Sequence, residues 1–373
     1  MQGAANWIRG SGLLVIPLVA MTAAPGLTQT RVEIIDADSC NTCRIELEPM
    51  VTLAPQDSFS FMWDTNVIVT RDGFITAPTY LAGQVAVFSR SGQLHATFGR
   101  AGQGPGELSS DVLLLSPGPG DTIHVVDYSR WLVFAPGSFA FVRSVNLGIE
   151  PTSFTIVDSG GNRGDMIAAY PSRVATGVLH AVHLISARTG TVIRSFDAPP
   201  PDELRDALDS SRSIGWYDGA VWSSARNRVR VRMELLDGSR SVEWFRSAGW
   251  FPGSGQERLG APFIERPQPK AWSVIPGAEV LWVHATVADE HWKPAAKSLS
   301  DPALREVIRT ADMNRFYDSI IELIDRRSGT VVAALRNDAI LAPVHGDSSL
   351  VHRKIVTDQG DIVIQILRIS LQR

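Results

Sequence analysis

One unit recurs six times along the chain, and it limits the fold more than any other feature. A short apolar strand leads through a tight turn to a second apolar strand. A polar loop and a third strand follow, then a turn carrying glycine, then a fourth strand. Two copies show the pattern well: "NVIVTRDGFITAPTYLAGQVAVFSRSGQLHATFG" and "VLLLSPGPGDTIHVVDYSRWLVFAPGSFAFVRSVNL". The second-turn glycines are Gly92, Gly137, Gly190, Gly238, Gly329 and Gly360, and three of those turns read RSG, RTG and RSG. Short apolar runs bounded by Gly, Pro, Asp and Ser read as strands joined by hairpins. Six units of four strands, at a period of about 45 residues, imply an all-β fold: a six-bladed β-propeller with four-stranded antiparallel blades. Two independent β-sandwiches would leave the repeated position of the turn unexplained.

Between the first two units lies "FGRAGQGPGEL", residues 98–108. A loop this rich in glycine raises the question of phosphate binding. A P-loop needs GK[ST] and a following helix, and here Ser109, Ser110 and a strand follow. A dinucleotide loop needs GxGxxG opening a helix, whereas Gly102, Gly104 and Gly106 alternate. The stretch reads as a blade-to-blade connection in which glycines allow positive φ and Pro105 stiffens the exit.

These residues carry a resemblance. "DTIHVVDYSRWLVFAPGSFAFVRSV" is similar to the NHL-type propeller repeat in its order of strand, Asp, Arg, apolar "VF", turn glycine and strand. "FGRAGQGPGEL" resembles that family's inter-blade connection. The whole chain looks like exported bacterial six-bladed propellers, some of which carry an early CxxC. The likeness is close over residues 60–145 and weaker beyond; unit four lacks the Asp–Arg pair and unit five is split by an insertion. It implies the fold more than an activity, because propellers host many functions.

The first 28 residues read differently. Arg9 precedes the apolar run Leu13–Ala24, and small and polar residues follow, the pattern of a secretory signal peptide. The run is shorter than the roughly 20 residues of a membrane span, and no other segment approaches that length. The expected location is periplasmic or extracellular. Residues 29–58 form an N-terminal segment able to add a strand that helps close the ring, and residues 59–373 form the propeller. Cys40 and Cys43, the only cysteines, read as a local disulfide in an oxidising compartment. Zinc would need two more ligands nearby, and haem attachment needs a His where Arg44 stands. A net charge of −4 points away from nucleic acid and anionic membranes as partners.

Function on a repeat scaffold concentrates where the repeat is broken. The insertion at 288–318 contains "SDPALREVIRTADMNRF", which reads as a helix capped by Ser300 or Asp301, with Leu304, Val307, Ile308 and Ala311 on one face. It either packs on the rim or serves as a lid or partner-binding helix. A second short helix is expected in 199–211. The linker 249–270 brings Trp250, Phe251, Phe263, Arg266 and Lys270 across one face.

Signs of catalysis are sparse. There is no GxSxG elbow, and bonded cysteines leave no thiol nucleophile. His284, Asp289 and His291 lie close in sequence and form a weak divalent-metal set. Six-bladed lactonases hold a channel metal with Glu, Asn and Asp from several blades, a pattern that Asn66, Asn146, Asn162 and Asn227 do not reproduce. Loops after second strands and between blades should share one face of the disc. They hold Arg100, Arg130, Arg173, Arg226, Arg228, Arg266 and Lys270, which would attract an anionic ligand such as a carboxylate, or else pair locally with Asp127, Glu107 and Glu265. The leading expectation is a non-catalytic binding or interaction module for an unidentified protein or a small anion, with no cofactor. The alternative is a lactonase-like, metal-dependent hydrolase or lyase using a divalent cation in the central channel.

Overall fold

The structure, a computed structural model, describes residues 28–36, 40, 42–54, 61, 65–76, 83–109, 113–158, 160–173, 179–198, 212–226, 228–246, 251, 263–298, 301 and 312–373. Two strands come from the N-terminal segment, β1 (Thr28–Glu33) and β2 (Arg44–Leu53). The first blade is β3 (Val67–Thr70), β4 (Gly73–Thr76), β5 (Val85–Phe88) and β6 (Leu94–Phe98). The second is β7 (Leu113–Pro117), β8 (Ile123–Asp127), β9 (Arg130–Phe134) and β10 (Phe141–Asn146). The third is β11 (Ser153–Ile156), β12 (Met166–Arg173), β13 (Leu179–Ile185) and β14 (Val192–Phe196). The fourth is β15 (Arg212–Tyr217), β16 (Ala220–Ala225), β17 (Val229–Leu235) and β18 (Arg240–Arg246). The fifth is β19 (Lys270–Pro276), β20 (Val280–Ala288), β21 (Tyr317–Asp325) and β22 (Val331–Asn337). The sixth takes β23 (Leu341–Pro343), β24 (Leu350–Val356) and β25 (Ile362–Gln372) from the C-terminus and β2 from the N-terminus. The chain is thus a six-bladed β-propeller, antiparallel within every blade.

Each blade is covered on both faces by its neighbours, and its inner strands show it. β3, β4 and β5 are buried at every position, so they read as unbroken apolar runs. The outer strand β10 alternates between half-buried and exposed, because the rim is open to solvent. The hydrophobic core falls into six seams between consecutive blades. The closing seam sets Leu53, Ile364 and Ile366 of the sixth blade against Val67, Phe74 and Phe88 of the first.

The N-terminal segment is a strap around half of the ring. β1 adds a fifth, parallel strand to the outer edge of the fourth blade. Ile35 bridges to Thr330 of the fifth blade, and Arg246 of the fourth blade pairs with both Asp36 and Glu322. The Cys40–Cys43 disulfide closes a tight local loop in the connection between β1 and β2, just before β2 begins. The sixth blade departs from the strand order expected from the sequence. Gly360 does not precede a fourth strand; it joins β24 to β25, the second and third strands, and β2 supplies the fourth. The expected helix around 302–311, the one in 199–211 and the signal segment lie outside the described residues. No helix among the described residues is long and apolar enough to cross a membrane.

The recurring glycine has a packing reason as well as a conformational one. Gly92, Gly190 and Gly329 all have φ between +70° and +83°. A Cβ on Gly92 would run into the carbonyl oxygen of Thr52 on β2, and one on Gly190 into that of Asn146 on β10. At Gly329 the obstacle is Glu33 on β1. The turn therefore nests against the outermost strand of the preceding blade, and the N-terminal strands provide that seat at two of these three places.

The glycine-rich connection is closed on itself. Leu108 N–H donates to Arg100 O, Gly102 N–H to Leu108 O, and Gly104 N–H to the Glu107 carboxylate. Arg130 donates to the carbonyls of Gln103 and Glu107 and pairs with buried Asp127, which also accepts from Ser109. Several N–H groups that would cradle a phosphate are already engaged by the loop, and a short bridge and strand β7 follow Glu107, not a helix.

Candidate functional site

All six inner strands begin at the same face of the disc, and a cavity of about 410 Å³ opens there on the propeller axis. Every blade contributes to its wall: Asn66, Leu114, Phe154, Ile214, Lys270 and Pro343 stand for the six in order. Lys270 is the first residue of β19, and Arg226 follows β16 directly. The two are held side by side because Ala271 N–H donates to the Arg226 carbonyl at 2.8 Å. Lys354 of β24 completes a cationic set drawn from three consecutive blades. Among the described residues of the wall there is no Asp or Glu.

Burial shapes the electrostatics. Desolvation, helped by the neighbouring Arg226 charge, pushes the Lys270 ammonium down to about 8. Desolvation also lowers Arg226 within its high range. Tyr317, whose ring lies 5.9 Å from the Lys270 Nζ, is held protonated by burial. His352 is driven well below its ordinary value by burial, then by Lys354 and His345, and His345 is lowered by burial. Both histidines are neutral at pH 7, so the positive charge belongs to the arginine and lysines. Two buried polar atoms on this wall, Ser273 Oγ and His352 Nδ1, lack a hydrogen-bond partner among the described residues. Such atoms are ordinarily met by water or a ligand.

Of the basic residues singled out in the sequence, Arg226 and Lys270 meet in this cavity. Arg100 lies in the connector, 2.5 Å from Glu107, and Arg130 is bound up there with Asp127. Arg266 is exposed and Arg228 half-buried, and neither lines the wall. Arg173 ends β12, and its side chain lies outside the described residues. The linker aromatics pack inward: Phe251 joins the seam between the fourth and fifth blades, and Phe263 meets Phe316 edge-on at 4.9 Å. Lys354 escaped the sequence reading because it lies mid-strand, away from any loop. A signal was there: of 35 basic residues only Lys270, Lys293, Lys297 and Lys354 are lysines, and two of these four line the cavity.

The metal set of His284, Asp289 and His291 does not come together. Five residues of extended chain separate His284 from Asp289, roughly 16 Å at strand rise. His284 is buried within β20, and desolvation lowers it to about 4. Asp289 instead meets Asp318 and Asp338, with one carboxylate oxygen from each lying within 4.8 Å of the others. Arg336 occupies this acidic corner, donating to Asp318 at 2.7 Å and to the Ala288 carbonyl. Burial raises Asp318, and Arg336 opposes that shift. His124 is a satisfied core histidine. Its Nδ1 accepts from Trp131 at 2.9 Å, which leaves Nε2–H to donate to Thr122.

No protein-family model matches the chain, and no curated protein matches its sequence. Solved structures match its fold. A "putative exported protein" of Bacteroides fragilis aligns with a TM-score of 0.57 at 12% identity, covering 93% of this chain and 100% of that one. A member of the DUF4221 family from Bacteroides vulgatus also gives 0.57, at 9% identity over 88% and 99% of the two chains. These likenesses establish the six-bladed fold.

Proposed function

We propose that this chain is an exported propeller with NHL-like repeats that binds a small anion at its channel mouth without transforming it. The observation that supports this reading is the cavity wall, where Arg226, Lys270 and Lys354 converge from three blades among hydroxyl groups and neutral histidines. Cations brought together out of water favour an anion strongly, because the ligand replaces solvation that burial has removed. The signal-like N-terminus, the local disulfide and the B. fragilis neighbour described as a "putative exported protein" support export. The Asp127–Arg130 pair anchoring the connector fits the NHL-like repeat. A channel metal of the lactonase kind would draw on Glu, Asn and Asp, and of these the described wall offers Asn66 alone, beside two histidines. The test is calorimetric and thermal-shift titration with acetate, sulfate and octanoate at low ionic strength. At least one anion should stabilise the wild type, leave the Arg226→Met/Lys354→Met double variant unmoved, and be recovered chemically unchanged. Equal stabilisation of both proteins, or of neither, would remove the reading.

A further inference from the structure

The cavity is polarised across its width. Arg226, Lys270 and Lys354 belong to the fourth, fifth and sixth blades, which are consecutive in the ring. The second and third blades face the fifth and sixth across the axis. Their described share of the wall is Leu114, Leu115 and Phe154 with the hydroxyls of Thr152 and Ser153, and among the described residues it carries no charged side chain. A bare inorganic anion would use one half of this wall and leave the other wetted apolar surface. A polyanion would need cations on both sides, and the volume of about 410 Å³ is near the lower end for small-molecule pockets.

The choice of cation points the same way. The chain uses arginine almost everywhere, yet two of its four lysines stand here. Arginine offers a planar fork suited to dianions and bidentate pairing, whereas lysine carries one compact charge on an apolar stem. Lysine stems extend the apolar lining up to the charged end. Ser273 Oγ and His352 Nδ1, both buried without a partner among the described residues, lie in the fifth and sixth blades, on the cationic side, where a carboxylate head would sit.

We infer that the cavity takes a monocarboxylate bearing an apolar chain or ring, its head held by the fourth to sixth blades and its body against the second and third. This rests on the anion-site reading above and narrows it to one ligand class. The probes are octanoate, acetate, sulfate and 1-octanol, titrated calorimetrically into the full-length protein after export. Octanoate should bind at least about tenfold more tightly than each of the other three, since a charge without a tail and a tail without a charge each lose one half of the wall. Phe154→Ser should weaken octanoate while leaving acetate unchanged, and Arg226→Met should weaken both. Octanoate binding no better than acetate or sulfate would overturn this inference and leave the anion site standing. Octanol binding as tightly as octanoate would overturn the inference, and no binding by any anion would overturn the inference and the anion site together. The wild-type comparison alone decides these outcomes, so a variant that fails to fold does not obscure them.

Discussion

Lys270 shows how one residue couples site and stability. Its ammonium is held near 8 in the fold against 10.5 in an unfolded chain. Between those pH values the unfolded state binds more protons, so this group makes the fold more stable as pH rises from about 8 towards 10.5. At pH 7 it is charged in both states, and its burial is a net cost on the order of 3 kcal/mol, from a displacement of 10.5 to about 8. Lys270→Met should therefore raise stability at pH 7 and flatten the alkaline slope, as read by urea midpoints from pH 7 to 10.5. A Met variant that is less stable at pH 7 and keeps the wild-type slope would contradict the assignment. The same ammonium links charge to binding: anion affinity should fall as pH passes through 8. The cost of holding Lys270 there in the absence of ligand is the kind of local expense that functional sites carry.

The blade is a unit that cannot stand alone, and its turns are built for a neighbour. At Gly190 two effects coincide, a φ of +70° and a carbonyl where a Cβ would be. At Gly360 the φ is +86°, but nothing lies within 4 Å of the Cβ position. Gly190→Ala should cost on the order of 1–3 kcal/mol for the backbone strain, plus the displacement of β10, while Gly360→Ala should cost the strain alone. Denaturant unfolding of the two variants separates the contributions, and equal losses would show that the contact with Asn146 is without effect. At this scale some patterns mislead. In "VRVRMEL" the alternation reads as a strand with one wet face, yet Arg230 and Arg232 are mostly buried. Arg230 donates to Glu243 at 2.9 Å, and Arg212 to Asp197 at 2.6 Å, in a network of paired charges within and beside the fourth blade. Whether a polar face meets water or another charged face is set by neighbours distant in sequence.

At the scale of the molecule, the ring is closed by strands from the two ends of the chain. β2 runs antiparallel to β25 from Arg44↔Gln372 to Leu53↔Ile364 and supplies Leu53 to the closing seam. Deleting residues 28–53 should leave β25 as an open edge and uncover Ile364 and Ile366, so the truncated chain should aggregate or lose its cooperative melt. Adding the peptide Arg44–Leu53 in trans should restore the melt. A truncation that melts as the full chain does would show that the ring closes without this strand.

What the sequence determined by itself is the repeat. Strand runs bounded by turns and a glycine at a constant place are local signals, readable because backbone conformation and turn sterics depend on neighbouring residues. They sufficed for six blades and for every fourth strand but that of the sixth, for the connector, and for the disulfide between Cys40 and Cys43. Only the tertiary structure decided which cations share a cavity. Arg226, Lys270 and Lys354 are separated by 44 and 84 positions, and beyond the rarity of lysine nothing local sets them apart from Arg100 or Arg130, which the fold engages elsewhere. Closure around an axis brings strand starts together whatever their distance along the chain, and electrostatics then acts on that proximity.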